Sequence, residues 1–232
     1  MLKYCKNCLT TNLRPNASFN IKTNVCIACE FFNADKNKPN KKFKLEILKR
    51  KINNLLKKNR NSHYDCIIGI SGGKDSTRQA LWVKNKLKLK PLLVCCSYPP
   101  RQMSKIGAQN ITNLIKKNFE VITVTPAPLT SAKFTHHSFK KYGNVCKSTE
   151  LALFSSVPRI AAEFGINLIF WGENPSIQLG DSKTYGQDDF DGSKLYNLNT
   201  LKEGNNWLKK ISNIKKIHHY SFPNKLYYKK KI

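Results

Sequence analysis

The stretch IIGISGGKDSTRQAL, which runs from Ile67 to Leu81, decides the fold of this chain. An apolar strand pattern stops at Ser71, and a helical pattern begins directly after the two glycines that follow. Glycines let backbone N–H groups approach a phosphate closely, and the start of a helix adds the positive end of its dipole. Lys74 would reach a phosphate oxygen as a point charge, and Asp75 would hold Mg²⁺. The predicted phosphate-binding residues are Ser71, Gly72, Gly73, Lys74, Asp75 and Ser76.

This loop does not follow two common glycine-rich phosphate motifs. The Walker A loop needs G-x-x-x-x-G-K-[ST], and the dinucleotide fingerprint needs G-x-G-x-x-G. SGGKDS between a strand and a helix is instead similar to the PP-loop of the ATP pyrophosphatases. That resemblance implies an enzyme that cleaves ATP between the α- and β-phosphates, transfers AMP to an oxygen and releases pyrophosphate. The alternative is a strand-to-helix turn that binds no ligand.

The pattern around the loop alternates between strands and helices. This order predicts an α/β fold with a Rossmann-like parallel sheet, in which helices cover both faces. The strand patterns lie at about 64–70, 91–96, 119–124 and 166–171, and the helical patterns at about 75–89, 103–118 and 149–164.

Composition shifts divide the chain into four segments. Residues 1–32 form a cysteine-bearing module, and 33–60 hold a polar linker followed by a basic amphipathic helix. Residues 61–205 form the PP-loop domain. We interpret 206–232, which is rich in lysine and asparagine, as a basic tail or a truncated C-terminal region.

Two C-x-x-C pairs near the N-terminus are separated by 17 residues. This spacing is typical of a structural zinc site, in which two knuckles offer four thiolates to one tetrahedral ion. We therefore predict a small zinc ribbon, with redox or iron–sulfur use as the alternatives. The predicted ligands are Cys5, Cys8, Cys26 and Cys29.

The other four cysteines carry weaker signals. Cys66, Cys95 and Cys96 lie in apolar strands, where cysteine behaves as a small core residue. Cys146 lies in a polar loop and is a candidate thiol nucleophile or sulfur carrier.

The net charge is +27, from 41 Lys and Arg against 14 Asp and Glu. The lysines are scattered rather than striped, so we interpret them as solvated faces that favour anionic small molecules, and we do not predict a nucleic-acid partner.

No apolar run approaches the length of about 20 residues that a membrane helix needs. No signal region opens the chain, and we expect a cytoplasmic location.

A second motif, WGENP from Trp171 to Pro175, follows the last strand pattern. Ligands of open α/β sheets lie beyond the carboxyl ends of strands. Glu173 is therefore placed to bind Mg²⁺ or a substrate hydroxyl, and the alternative is a helix-cap or turn residue.

The motifs occur in an order that resembles the N-acetyl sugar amidotransferases of lipopolysaccharide O-antigen and of pseudaminic- or legionaminic-acid biosynthesis. The resemblance covers about residues 3 to 208. It rests on YC-x-x-C, the second C-x-x-C, YDC at 64–66, SGGKDS, WGENP, QLGD at 178–181, GQDDFDG at 186–192 and NLNT at 197–200.

The resemblance implies a specific reaction. ATP activates the oxygen of an acetamido group on an N-acetyl sugar or nonulosonic acid, and ammonia displaces AMP to leave an acetamidino group. It implies ATP, Mg²⁺ and Zn²⁺ as cofactors, and ammonia from a separate glutaminase subunit with a cyclase-like partner. Lys74, Asp75 and Glu173 are the catalytic candidates, and Asn174, Asp181 and Cys146 are the substrate candidates.

Two other functions stay open. The basic charge, the cysteine pairs and Cys146 also suit a tRNA-modifying PP-loop enzyme of the thiolation or lysidine type. The chain ends earlier than the sugar amidotransferases do, which suits a truncated ATP-binding assembly subunit.

Overall fold

The computed structural model describes residues 1–13, 17–36, 41–57, 62–98, 102–172, 204–211 and 218–223. The chain divides into two compact units, Met1–Leu48 with Glu173–Lys202 and Lys49–Gly172 with Glu203–Ile232. In chain order the elements are α1 (Ile27–Lys36), α2 (Lys41–Leu56), β1 (Cys66–Gly69), α3 (Lys74–Lys86), β2 (Pro91–Cys96), α4 (Lys105–Lys116), β3 (Glu120–Val124), α5 (Pro128–Tyr142), α6 (Lys147–Glu163), β4 (Ile169–Phe170), α7 (Gly204–Lys210) and a 3₁₀ turn (His218–Tyr220).

The second unit is built on a four-stranded parallel sheet with the order β3-β2-β1-β4. From β1 the chain adds β2 and then β3 on one side, whereas β4 pairs with the other side of β1. The predicted α/β fold with a parallel sheet is confirmed. The strand order reverses at β1, which places a topological switch point between the carboxyl ends of β1 and β4.

The strands are apolar along their whole length because helices bury both faces of a parallel sheet. Ile67 and Ile68 of β1 are fully buried, and the first five residues of β2 are buried. α3, α4 and α6 form at the three predicted helical patterns. The central cluster joins the strands to α6 and consists of Ile67, Leu92, Val94, Val124, Val157, Ala161 and Ile166.

The sequence patterns did not predict α5. Its buried face consists of Thr130, Phe134 and Ser138, which repeat every four residues but include one large apolar side chain. The helix therefore lacks an apolar period. The sequence does mark the two ends of this helix with a proline and a glycine. Pro128 lies in the first turn, and Gly143, directly after the last residue, adopts a left-handed φ of 62°.

The C-terminal segment differs from the basic tail that its composition predicts. In its described parts, 204–211 and 218–223, Trp207 is 3% exposed and Tyr220 is 2% exposed. Both rings contact Phe134 of α5, with centroid separations of 5.6 and 4.5 Å. Arg159 of α6 also donates from Nη2 to the carbonyl of Ser221 at 2.6 Å. These residues therefore form part of the core of the second unit.

The first unit contains two short antiparallel bridges followed by α1. Tyr4 pairs with Thr11, and Phe19 pairs with Cys26. α1 extends to Lys36 and so includes the first four residues of the segment 33–60, where the sequence predicts a polar linker. α2 forms where the basic amphipathic helix is predicted. No helix in the described part of the chain combines the length and the apolar character that crossing a membrane requires.

Candidate functional site

The glycine loop joins the end of β1 to the start of α3 and accepts only glycine at Gly72. This residue has a φ of +76°, a conformation that disfavours any residue with a side chain. A Cβ atom there would lie 2.9 Å from Cβ and 3.1 Å from the carbonyl carbon of Asn110. α4 therefore packs directly against the loop, and both the conformation and the contact exclude a larger residue.

The start of α3 leaves backbone donors available. Gly73 is the N-cap residue and, lacking a side chain, makes no side-chain cap hydrogen bond. The first intrahelical bond runs from the N–H of Thr77 to the carbonyl of Gly73 at 3.0 Å. The N–H groups of residues 74–76 precede that bond and have no intrahelical acceptor. Such a helix start is suited to an anion.

The hydroxyl groups of the loop brace its backbone. Ser76 Oγ donates to the carbonyl of Gly73, and Thr77 Oγ1 donates to the carbonyl of Gly72, both at 3.2 Å. Ser71 Oγ accepts from the N–H of Gly73 at 3.4 Å. In this arrangement Ser76 holds the loop, and its hydroxyl would have to rotate in order to donate to a phosphate. The assignment of Ser71 and Ser76 as phosphate ligands stays a prediction.

The predicted charged residues of the loop are accessible. Lys74 and Asp75 are exposed at the first turn of α3, at the carboxyl edge of the sheet. Because the ammonium and the carboxylate are both exposed to solvent on neighbouring positions, a phosphate and its Mg²⁺ are able to reach them. Their catalytic roles stay predictions.

A side chain that sequence reasoning missed connects α3, the helix after β1, to the end of β4. Gln79 of α3 donates from Nε2 to the carbonyl of Trp171, just beyond β4, at 2.9 Å. Its Oε1 is buried and has no hydrogen-bond partner. Gln79 lies four residues after Asp75 and so on the same side of α3. That spacing is the one signal that the sequence offered.

Three predicted site residues, Glu173, Asn174 and Asp181, lie outside the described residues. The last described residue before them is Gly172, which lies beside α3. A Cβ atom added to Gly172 would be 3.7 Å from Oε1 of Gln79. The chain thus leaves β4 next to α3, and the approach of Glu173 to the glycine loop stays a prediction.

The structure separates the three strand cysteines from Cys146. Burial raises the pKa of Cys66 to about 12 and that of Cys95 to about 11, and burial also raises the pKa of Cys96. Cys66 and Cys95 are buried and Cys96 is half-buried, and neutral thiols in such surroundings agree with the predicted core role. Cys146 is exposed at the N-cap position of α6, where its N–H donates to Asn144 Oδ1 at 2.7 Å.

The four N-terminal cysteines come together as predicted. Their Sγ atoms all lie within 4.8 Å of one another. The Cys5 and Cys29 sulfurs are 4.0 Å apart, and those of Cys8 and Cys26 are 3.6 Å apart. Zinc–sulfur bonds of about 2.3 Å in a tetrahedron require sulfur separations of about 3.8 Å. The donor set therefore fits one tetrahedral metal ion, and four thiolates also suit an iron–sulfur cluster.

The two cysteine pairs are held differently. Cys5 and Cys8 lie in a turn that ends at Leu9, which has a φ of 60°. Cys26 and Cys29 lie instead at the start of α1, where the N–H of Glu30 donates to the carbonyl of Cys26. The second pair thus uses a helix start in place of the predicted second knuckle, and its dipole favours thiolates.

The thiols of this cluster differ in acidity. Burial opposes ionisation of Cys5, but N–H groups of Cys26 and Asn7 bond to its sulfur and lower its pKa to about 6. Burial and the neighbouring sulfurs raise the pKa of Cys29. Four thiolates in one place repel one another unless a cation neutralises them, so the arrangement is suited to a metal.

Comparisons with known proteins give partial matches. No protein-family model matches the chain, and no curated protein sequence matches it. The structure of NMN synthetase from Francisella tularensis has 19% identity and a TM-score of 0.40, over 56% of this chain and 55% of that one.

Two further solved structures overlap with more of the chain. The NH3-dependent NAD synthetase from Campylobacter jejuni has 18% identity and a TM-score of 0.40, over 71% of this chain and 76% of that one. The U34-tRNA thiolase NcsA from Methanococcus maripaludis, with its [4Fe-4S] cluster, has 17% identity and a TM-score of 0.35, over 76% of this chain and 56% of that one. At these values the matches do not bear on function.

Proposed function

We propose that this chain is an ATP pyrophosphatase-type enzyme that binds ATP at residues 71–76 and transfers AMP to an acceptor oxygen. The observation that carries the proposal is the loop itself. Gly72 has a left-handed φ and no room for a Cβ, and Gly73 opens α3 without a side-chain cap. The SGGKDS sequence thus forms a strand-to-helix turn in which the N–H groups of residues 74–76 are available to phosphate oxygens.

Each loop residue has a role in this proposal. The N–H groups at the start of α3 bind the β- and γ-phosphates, and Lys74 neutralises charge that builds up on the departing pyrophosphate. The exposed carboxylate of Asp75 would hold Mg²⁺, which screens the phosphate charges when it is bound. Gln79 fixes α3, and with it the loop, to the end of β4.

For the acceptor we propose an N-acetyl sugar or nonulosonic acid. Its acetamido oxygen attacks the α-phosphorus, pyrophosphate leaves, and the amide loses its N–H proton to give an AMP imidate. Ammonia then adds to the imidate carbon and AMP leaves with the oxygen, so that an acetamidino group remains. The support is the order of motifs from the first C-x-x-C to NLNT. A separate glutaminase subunit with a cyclase-like partner would supply the ammonia.

The four-cysteine cluster has a structural role in this proposal. Four protein thiolates fill a tetrahedral metal and leave no position for a substrate. The ion, Zn²⁺ in our proposal, would stabilise the first unit.

The test uses the purified chain with ATP, Mg²⁺, ammonium chloride and a panel of N-acetylated sugars. We expect equal amounts of AMP and pyrophosphate, and mass spectrometry should show acetamidino product. Asp75→Ala should abolish pyrophosphate release while the circular dichroism spectrum stays unchanged. Retained turnover in Asp75→Ala would remove the metal-holding role of this carboxylate. Wild-type protein that binds ATP but converts no sugar would instead fit the assembly-subunit alternative.

One observation favours a second candidate, a tRNA-modifying enzyme of the thiolation type. The Cys146 thiol is exposed at the start of α6, where it is accessible to a large substrate. Such an enzyme should bind tRNA with an affinity that falls steeply as salt rises. Absence of tRNA binding at moderate salt would exclude it.

A further inference from the structure

A cleft of about 530 Å³ opens in the second unit, at the carboxyl ends of β2 and β3. Tyr98 and Gln102, which follow β2, form one side of it. α5 forms the floor, and the other side is formed by Val145, just before α6, and Thr149, in its first turn. Its volume is in the range of small-molecule sites. In a parallel sheet this edge is also the one that carries the glycine loop after β1.

The floor of the cleft is a defined face of α5. Thr130, Phe134 and Ser138 of this helix are buried in the core. The residues that line the cleft are offset from them by one or two positions, which places them on the side of the helix turned away from the core. These cleft residues of α5 are Pro128, Ser131, Ala132, Thr135, His136 and Phe139.

Hydrogen bonds hold two sides of the cleft, α5 and the start of α6, in place relative to each other. Thr135 Oγ1 of α5 and Ser148 Oγ of α6 are hydrogen-bonded at 3.1 Å. Ser138 Oγ donates to the carbonyl of Asn144 at 2.5 Å, which fixes the turn between the two helices. A cleft that is already formed costs a ligand less ordering free energy.

The lining chemistry suits a hydroxylated ring compound. Tyr98 and Phe139 expose 55% and 59% of their surface and offer aromatic faces for the apolar side of a ring. Ser131 and Thr149 supply hydroxyls, which both donate and accept, and Gln102 supplies an amide. None of the ten described residues that line the cleft is acidic, so a negatively charged ligand meets no carboxylate there.

We propose that this cleft binds the acceptor of AMP transfer, a small hydroxylated ring compound that is either neutral or negatively charged. The inference rests on the proposed function and adds the place where the acceptor is held. Residues 71–77 do not line the cleft, so the phosphate-binding loop and the cleft are separate parts of one edge. This division suits a reaction with two substrates, in which one loop holds the nucleotide and a neighbouring cleft holds the acceptor.

The experiment compares two tryptophan variants on neighbouring positions of α5. Ala132→Trp places an indole in the cleft, whereas Lys133→Trp places it on an exposed position that does not line the cleft. Saturation-transfer NMR would measure the binding of N-acetylneuraminic acid and N-acetylglucosamine, and calorimetry would measure the binding of α,β-methylene-ATP. Thermal unfolding would check that both variants are folded.

We expect at least one of the two sugars to bind the wild-type chain. Ala132→Trp should weaken sugar binding about tenfold or more and leave α,β-methylene-ATP affinity within about twofold. Lys133→Trp should leave both ligands bound as in the wild type. Sugar binding that survives in Ala132→Trp, loss of α,β-methylene-ATP instead, or no sugar binding to the wild type would each overturn the inference.

A second pair of variants keeps the inference testable if Ala132→Trp does not fold. Phe139→Ala removes an aromatic face from the cleft, and Leu129→Ala removes a 79% exposed side chain of the same helix outside it. Only Phe139→Ala should weaken sugar binding, and equal affinity in the two variants would contradict the inference. Failure of the proposed function has a different signature, namely sugar binding in the cleft without AMP or pyrophosphate formation.

Discussion

The first unit and the C-terminal segment offer different means of stabilisation. Where the structure describes it, the first unit has two short bridges and α1, and four sulfurs lie within 4.8 Å of one another. The C-terminal segment contains no cysteine, and its described parts instead bury Trp207 and Tyr220 against Phe134. A small module with little apolar burial depends on a metal, whereas a segment with large aromatic side chains depends on packing.

The largest effect should come from the metal. Cys26→Ser removes one of four ligands, and structural zinc contributes apparent binding free energies of about 10–16 kcal/mol to the folding of small modules. We expect loss of bound zinc and loss of hydrogen-exchange protection over residues 1–36, while the parallel sheet stays protected. Cys146→Ser, which changes an exposed thiol, is the control. A stable, metal-free Cys26→Ser protein would contradict the structural-metal assignment.

The C-terminal segment should respond to a packing change and not to chelation. Trp207→Ala empties a 3% exposed site beside Phe134, and such truncations cost about 3–5 kcal/mol. Trp82→Ala is the matched control, because Trp82 is 39% exposed on α3 and should cost much less. Urea unfolding of the two variants measures the difference. Equal unfolding free energies would mean that the segment does not belong to the core.

The glycine loop sharpens the comparison, because there stability and ligand binding should change together. Gly72→Ala adds a Cβ at 2.9 Å from Asn110 and at a φ of +76°, so we expect a loss of about 2–4 kcal/mol. α,β-Methylene-ATP binding should also disappear. Gly143→Ala is the control. Gly143 has a similar φ of 62°, but a Cβ atom there would have no neighbour within 4 Å, so this variant measures the backbone strain alone. Gly72→Ala with unchanged nucleotide affinity would remove the loop from the site.

The smallest effect should come from the link between α3 and the end of β4. Gln79→Leu leaves the carbonyl of Trp171 without its 2.9 Å hydrogen bond, at a cost of about 1–2 kcal/mol. Gln109→Leu, on the exposed side of α4, is the control. We expect Gln79→Leu to lower kcat for AMP formation more than it changes α,β-methylene-ATP affinity. Wild-type kcat in this variant would show that the link does not position the site.

These regions also differ in how far the sequence predicts them. The glycine loop and the four cysteines are local patterns, in which residue type and spacing determine the geometry directly. The apolar strands likewise predict the parallel sheet because both of its faces are buried.

Other features depend on partners that are distant in the sequence. Thr130 and Ser138 lie on the buried face of α5. Neither residue type predicts burial by itself, because the burial comes from elements that pack against this face. Trp207 and Tyr220 stand among lysines and asparagines, so their packing against Phe134 is not readable from composition. The Gln79 link spans 92 positions and has no sequence pattern of its own.

The most direct test of the account follows the acceptor oxygen. An N-acetyl sugar with oxygen-18 in its acetamido group is incubated with the chain, ATP, Mg²⁺ and ammonium, and the products are analysed by mass spectrometry. The account predicts that the label moves into AMP and that pyrophosphate carries none, because the acetamido oxygen attacks the α-phosphorus and leaves with AMP. Label that stays in the sugar, or that appears in inorganic phosphate beside ADP, would contradict it.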